Sequence, residues 1–280
     1  MVMTISSKVF FSVAAAATVF SLAACAGNSS EDSDATKIRV GASPGPYTEL
    51  FKEGVDPVLT AAGYTIDYQD FSDLRQADVA LSEGSVDLNV DQHTAYMNVF
   101  NEETGSDLAS ITDIPTVKTK VYSEKHKSID DVAEGQTVGI PQDGSNQTRA
   151  FRILIKLGWI TVKEDADQKL LTVADIKDNP HNLRIEAMDS ATIPRALGDL
   201  DWGVIPGSIS YSSGVDPALA VAEEDLGEDL ILQAVTTQDK VDSEWAKAVH
   251  DAYRSEDFLN YLKENNDDSY WFVPDSLSAS

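Results

Sequence analysis

The side chains best equipped for chemistry in this sequence are Ser43, Asp91, His93, Tyr96, Asn146 and Arg149. Gly41-Ala42-Ser43-Pro44-Gly45 satisfies the hydrolase pattern G-x-S-x-G, between an expected strand and an expected helix. A nucleophile elbow takes an oxyanion donor from the backbone N–H of the residue after the serine, and Pro44 has none. The five residues read better as a tight turn that exposes backbone and Ser43 to a bound molecule, with a secreted serine hydrolase kept as the alternative. No P-loop, H-E-x-x-H or Cys-x-x-Cys pattern occurs. His126, His181 and His250 lack metal-ligand spacing, so neither a metal site nor a cofactor is expected.

Arg149 falls near the start of a helix expected to open at Ser145, after a strand ending at Ile140. A cation in a first turn is disfavoured by roughly 0.3 to 1 kcal/mol. It is easier to place if an anion lies between it and the helix terminus. A carboxylate of a bound molecule, held bidentately, would serve; an exposed pairing with Asp143 or Glu164 is the other reading. His93 and Tyr96 are three apart and share a face if a helix starts at Thr94, either as a pocket wall or as ordinary core. Ser145 and Asn146 are both favoured helix N-cap types.

The elements that must position these groups alternate. Lys37 to Gly41 reads as a strand, Pro46 to Ala62 as a helix with Leu50, Phe51, Val55, Val58 and Leu59 on one face, and Tyr64 to Phe71 as a strand again. The rhythm continues through a helix around Gln76 to Ser82, a strand Val86 to Val90, a helix Thr94 to Glu103 and extended chain from Leu108 to Tyr122. A second block has strand Thr137 to Ile140, helix Ser145 to Leu157, strand Leu183 to Met188, helix Ala191 to Leu197 and strand Trp202 to Ile205. Leu230 to Val235 is a closing strand, and helices fall within Ser243 to Lys263. Such alternation implies α/β architecture. Two blocks with a returning segment imply two lobes around a cleft, a favoured place for small molecules.

Before these elements stands a leader. Lys8 precedes an apolar stretch, Val9 to Leu22, of about 14 residues, short of the about 20 that span a membrane. Leu22-Ala23-Ala24-Cys25 resembles a bacterial lipobox, and Cys25 is the only cysteine in the chain. The expectation is removal of Met1 to Ala24 and lipidation of Cys25, followed by a polar acidic tether. The body then lies outside the cytoplasm, held to the membrane by its lipid alone. A net charge of −26 argues against nucleic acid as a partner, since such binding relies on basic patches.

Four segments in order carry a family resemblance. They are Leu81 to Asn89 followed by Gln92-His93-Thr94-Ala95-Tyr96, Val138 to Arg149, Asp178 to Ile185, and Ile193-Pro194-Arg195-Ala196-Leu197. In these the chain resembles the NlpA/MetQ lipoproteins, substrate-binding subunits of methionine-type ABC importers, from about Lys37 to Phe258. The resemblance implies a two-lobed periplasmic-binding-protein-like fold of type 2 that closes on a free amino acid and delivers it to a permease and its ATPase. It also implies that an aromatic and histidine cluster packs the ligand side chain and that an arginine holds the ligand carboxylate. His93, Tyr96 and Arg149 fall on those positions; Asp91, Asn146, Ser43 and Ser208 are taken with them as ligand contacts.

Four positions depart from the family pattern. Asp91 stands for Phe, Leu74 for Tyr, Pro206 for Asn and Leu232 for a second Asn. Asp91 is either a loop carboxylate facing water or a counter-charge for a ligand ammonium. The altered wall admits an amino acid other than methionine, or a related solute. The expected organisation is a signal peptide at 1–24, anchor and tether at 25–36, a first lobe from 37–117, a second from 118–206, and a return to the first over 207–280.

Overall fold

A computed structural model of the chain describes residues 36–266 and 270–278. The leader, Cys25 and the tether up to residue 35 lie outside the described residues.

The chain opens with strand β1 (Lys37–Ala42), whose apolar residues are buried while Lys37 is exposed. Three helical pieces follow without a break: α1 (Pro46–Leu50), a π-helical turn (Phe51–Val55) and α2 (Asp56–Ala61). Pro57 accounts for the wide turn. It has no N–H, and its ring would clash with the carbonyl four residues back in a regular helix. Gly54 sits in that turn because a Cβ there would lie 2.8 Å from Tyr261 and 2.9 Å from Phe258.

Strand β2 (Thr65–Asp70) pairs in parallel with β1, and α3 (Leu74–Ser82) follows, capped by Asp73. Strand β3 (Asn89–His93) leads directly into α4 (Thr94–Thr104), which ends at Gly105 with φ +71°, a left-handed conformation that glycine adopts without a Cβ penalty. The expected strand Val86 to Val90 is thus displaced toward the C-terminus, and Asp91 and His93 belong to a strand rather than a loop. Leu88 contributes only an isolated parallel bridge to Val40.

After β4 (Leu108–Asp113) the chain leaves this region and builds a five-stranded sheet. Its strands are β5 (Lys120–Tyr122), β6 (Thr137–Pro141), β9 (Arg184–Met188), β10 (Trp202–Ile205) and β11 (Ala220–Glu223), ordered β11-β5-β10-β6-β9. Helix α5 (Gly144–Lys156) crosses from β6 and buries Ala150, Phe151, Ile153 and Leu154 against it. A two-stranded ribbon, β7 (Thr161–Val162) and β8 (Ile176–Asp178), flanks the helix's far end. The segment expected as helix Ala191 to Leu197 is a 3-10 turn (Ser190–Thr192) followed by α6 (Ile193–Ala196). Helix α7 (Gly207–Ser212) follows β10.

The chain then returns. Strand β12 (Leu232–Thr237) inserts between β3 and β4, antiparallel to both. Helices α8 (Glu244–Ala252) and α9 (Glu256–Glu264) and the short α10 (Asp275–Ser278) complete the described chain. The result is a two-lobed α/β fold.

Each lobe has its own apolar interior. Ile38, Val40, Phe51, Leu59, Leu88, Tyr253 and Phe258 pack together in one; Val138, Ile140, Phe151, Leu154, Trp159 and Trp202 in the other. Trp202 and Trp159 meet at 4.9 Å, and His126 stacks on Trp202 at 4.6 Å. His126 therefore packs as an aromatic. Among the described residues no helix is long and apolar enough to cross a membrane.

Candidate functional site

The ends of β1, β3 and β12 on one side, and of β6, β9 and β10 on the other, face one cavity of about 470 Å³. Ser43, Asp91, His93, Tyr96, Asn146, Arg149 and Ser208 all line it, as do Leu74, Pro206 and Leu232. Residues separated by more than a hundred positions meet there because they lie on, or just beyond, strands whose ends open on the cleft.

Asp91 is 8 % exposed, so the reading of a carboxylate facing water is corrected. Two residues of β3, Val90 and Asp91, stand against one of β12, Ala234, between the Gln233–Gln92 and Val235–Asn89 pairs, a bulge that redirects side chains at this point. Asp91 Oδ2 accepts from the Ser43 N–H and the Ser43 hydroxyl, both at 2.9 Å, and from the Thr48 hydroxyl at 3.0 Å. Burial raises its carboxyl to about 6, against the opposing pull of those hydrogen bonds. Ser43 therefore does not offer its N–H and hydroxyl to a ligand; it spends both on Asp91. Thr48 went unnoticed in the sequence because one hydroxyl in a helix carries no signal of its own.

His93 caps α4. Its Nδ1 accepts the Tyr96 N–H at 3.1 Å, which places the proton of the neutral ring on Nε2, 3.4 Å from Asn146 Oδ1 across the cavity. Burial, with the charge of Arg149 second, lowers His93 to about 3. The His93 and Tyr96 rings meet edge to face at 6.3 Å and form one wall.

Asn146 is not an N-cap. Asp143 takes that role, accepting from the Asn146 N–H and from Asn146 Nδ2, both at 3.0 Å. The helix opens at Gly144 instead of Ser145, so Arg149 lies in its second turn, farther from the terminal dipole than the sequence reading placed it.

Arg149 is 3 % exposed and pairs neither with Asp143 nor with Glu164. Its Nε and Nη2 hold the two carboxylate oxygens of Glu224 side-on. Glu224 belongs to the acidic run Glu223-Glu224-Asp225, which reads as a solvated stretch, so nothing in the sequence singled it out. Nη1 of Arg149 has no hydrogen-bond partner among the described residues.

Behind the wall, Gln92 Nε2 donates to Asp78 Oδ1 at 2.6 Å, while Asp78 Oδ2 and Gln92 Oε1 have no partner. Burial lifts the Asp78 carboxyl well above the usual carboxylate range.

The two walls also touch at the cavity's rim. A Cβ on Gly45 would lie 3.3 Å from Ser208 Cβ, and the Tyr211 hydroxyl donates to Glu49. Among the described residues no group of three or more His, Cys, Asp or Glu side chains could hold a metal ion.

The chain is similar to known proteins in sequence and in fold. The sequence pattern of the NlpA lipoprotein family matches residues 38–272. The D-methionine-binding lipoprotein MetQ of Salmonella typhi is 29 % identical over 258 residues, 91 % of this chain and 94 % of that protein. A nutrient-binding protein of Burkholderia cenocepacia, solved bound to methionine, superposes with a TM-score of 0.78 at 28 % identity, covering 84 % of this chain and 99 % of that one. The substrate-binding protein of a methionine transporter from Streptococcus pneumoniae gives 0.76 at 26 %, covering 85 % and 96 %.

Proposed function

The chain belongs to the NlpA lipoprotein family, and on that premise we propose that it is the solute-binding lipoprotein of an ABC importer. It captures a free amino acid or a close relative outside the cytoplasm and passes it to a permease driven by an ATPase. The observation that carries this reading is the cavity between the lobes, which gathers Ser43, Asp91, His93, Tyr96, Asn146, Arg149 and Ser208 from both walls.

His93 and Tyr96 pack the ligand's side chain, and the Nη1 end of Arg149 receives its carboxylate. Asp91 gives the wall a negative charge. The names of the relatives favour methionine; Leu74, Asp91, Pro206 and Leu232 favour another amino acid. Cys25 carries the lipid, residues 1–24 are removed, and residues 118–206 form most of the second lobe.

A thermal-shift screen of the full chain in detergent with free amino acids tests the function. Binding at a hundred times the dissociation constant adds about 2.7 kcal/mol of stability, so at least one amino acid raises the melting temperature. A flat response across all of them overturns the reading. Intact-mass measurement on the detergent-extracted protein checks Cys25: the leader retained on an unmodified cysteine would remove the anchor.

A further inference from the structure

The electrostatics of the cavity wall go beyond an amino-acid site. Resting on the proposed function, we infer that the solute carries a net positive charge, with an ammonium or guanidinium group set against Asp91.

The first ground is the pairing of the wall's cations. Arg75 and Arg149 are the arginines that line the cavity. Arg149 is neutralised by Glu224 inside the protein, and Arg75 pairs with Glu103 at 2.9 Å. The wall's acids are not neutralised in this way. Asp73, Asp143 and Asp189 cap helical N-termini through the N–H groups of Gln76, Asn146 and Ala191. None of the three has a cationic side chain within ion-pair distance among the described residues. Asp91, the most buried of the four, has hydroxyls and an N–H around it but no cation. A concave wall of one sign with low-dielectric surroundings concentrates the opposite charge.

The second ground is the hydrogen-bond inventory, which is independent of net charge. Several donors facing the cleft are already spent: the Ser43 N–H and hydroxyl on Asp91, Arg149 Nε and Nη2 on Glu224, and Asn146 Nδ2 on Asp143, while Arg149 Nη1 is left for the ligand carboxylate. Pro206 and Leu232 add no side-chain donor. On Asp91, Oδ2 takes the three close contacts, Oδ1 takes a longer one from the Thr48 hydroxyl at 3.2 Å, and the Thr48 N–H also acts on the carboxylate. A ligand group that meets Asp91 must bring a donor to that carboxylate, as an ammonium or guanidinium does. A neutral thioether brings none.

Calorimetry on the detergent-solubilised full chain at neutral pH, with ligand pairs of matched shape, decides the matter. Lysine is compared with norleucine and arginine with citrulline, with methionine alongside. A cationic member should bind about ten- to a hundredfold more tightly than its neutral partner, as expected of a charge-assisted hydrogen bond, and the margin should shrink with added salt. Asp91→Asn, which keeps the side chain's shape, should erase most of that margin. Norleucine, citrulline or methionine binding as tightly as the cations would overturn the inference and leave the proposed function standing. Silence from all five ligands and from the wider amino-acid screen would overturn the proposed function itself. The comparison of ligand pairs on the unaltered chain needs no variant to fold.

Discussion

Arg149 and Glu224 form a side-on ion pair in which both side chains are 3 % exposed. Glu224 also ties the two passages of chain between the lobes. Its Oε1 accepts the Thr119 N–H at 2.7 Å, and its own N–H donates to the Thr119 carbonyl at 3.1 Å. Thr119 precedes β5 and Glu224 follows β11, so one carboxylate joins the cavity wall to both crossing segments.

Removing one partner of this pair strands a buried charge. Glu224→Ala and Arg149→Ala are each expected to destabilise the protein by about 3 to 5 kcal/mol. The double variant should cost clearly less than the two singles together, because it leaves no orphan. Urea denaturation of all four proteins measures the coupling, and strict additivity would show that the two groups do not depend on one another.

Asp91 should impose a pH dependence on stability. Its folded value of about 6 lies above the unfolded one, so the stability it contributes is full below about pH 4 and is lost as pH rises through about 6. Relative to Asp91→Asn, the native chain should lose on the order of 3 kcal/mol between about pH 4 and about pH 7. Denaturation curves of the two proteins at both pH values give the difference. Parallel pH profiles would mean that the carboxylate is solvated.

His93 should stay neutral where an ordinary histidine titrates. Its value is lowered to about 3 by burial, so its contribution to stability is present above about pH 6.5 and is lost only as pH falls toward that lower value. Nitrogen-resolved NMR should show the Nε2–H tautomer with unchanged shifts from about pH 8 to about pH 5. A His93 signal titrating near 6.5 contradicts the buried arrangement.

Gly207 marks the closest approach of α7 to the first crossing segment. A Cβ there would lie 2.6 Å from Val117 Cγ1 and 2.7 Å from the Val117 carbonyl oxygen, and the carbonyl belongs to backbone that cannot rotate aside. Gly207→Ala is expected to cost about 1 to 3 kcal/mol through overpacking, while Gly198→Ala, whose Cβ would meet the nearest atom at 3.4 Å, should cost less. Thermal melts of both variants rank them, and equal melting temperatures would refute the clash.

The α/β alternation and the two blocks with a returning segment were legible in the sequence, because apolar periodicity reports which face of each strand and helix is buried. The candidates around Arg149, His93 and Tyr96 were legible through the family resemblance, and the chain places them at one cavity. Element boundaries were less legible. Strand β3 runs to His93 instead of ending at Val90 because its pairing with β12, a strand about 140 residues away, extends it. Three things only the tertiary structure decided. Glu224, one of three successive acids, is the one folded inward onto Arg149. Asp91 is buried by the turn that brings Ser43 and Thr48 to it across more than forty residues. Asp143 rather than its neighbours caps α5. Each depends on which long-range neighbour supplies a hydrogen bond or a charge, and local periodicity carries no record of that; it fixes which face turns inward and leaves the partner to the packing of distant strands.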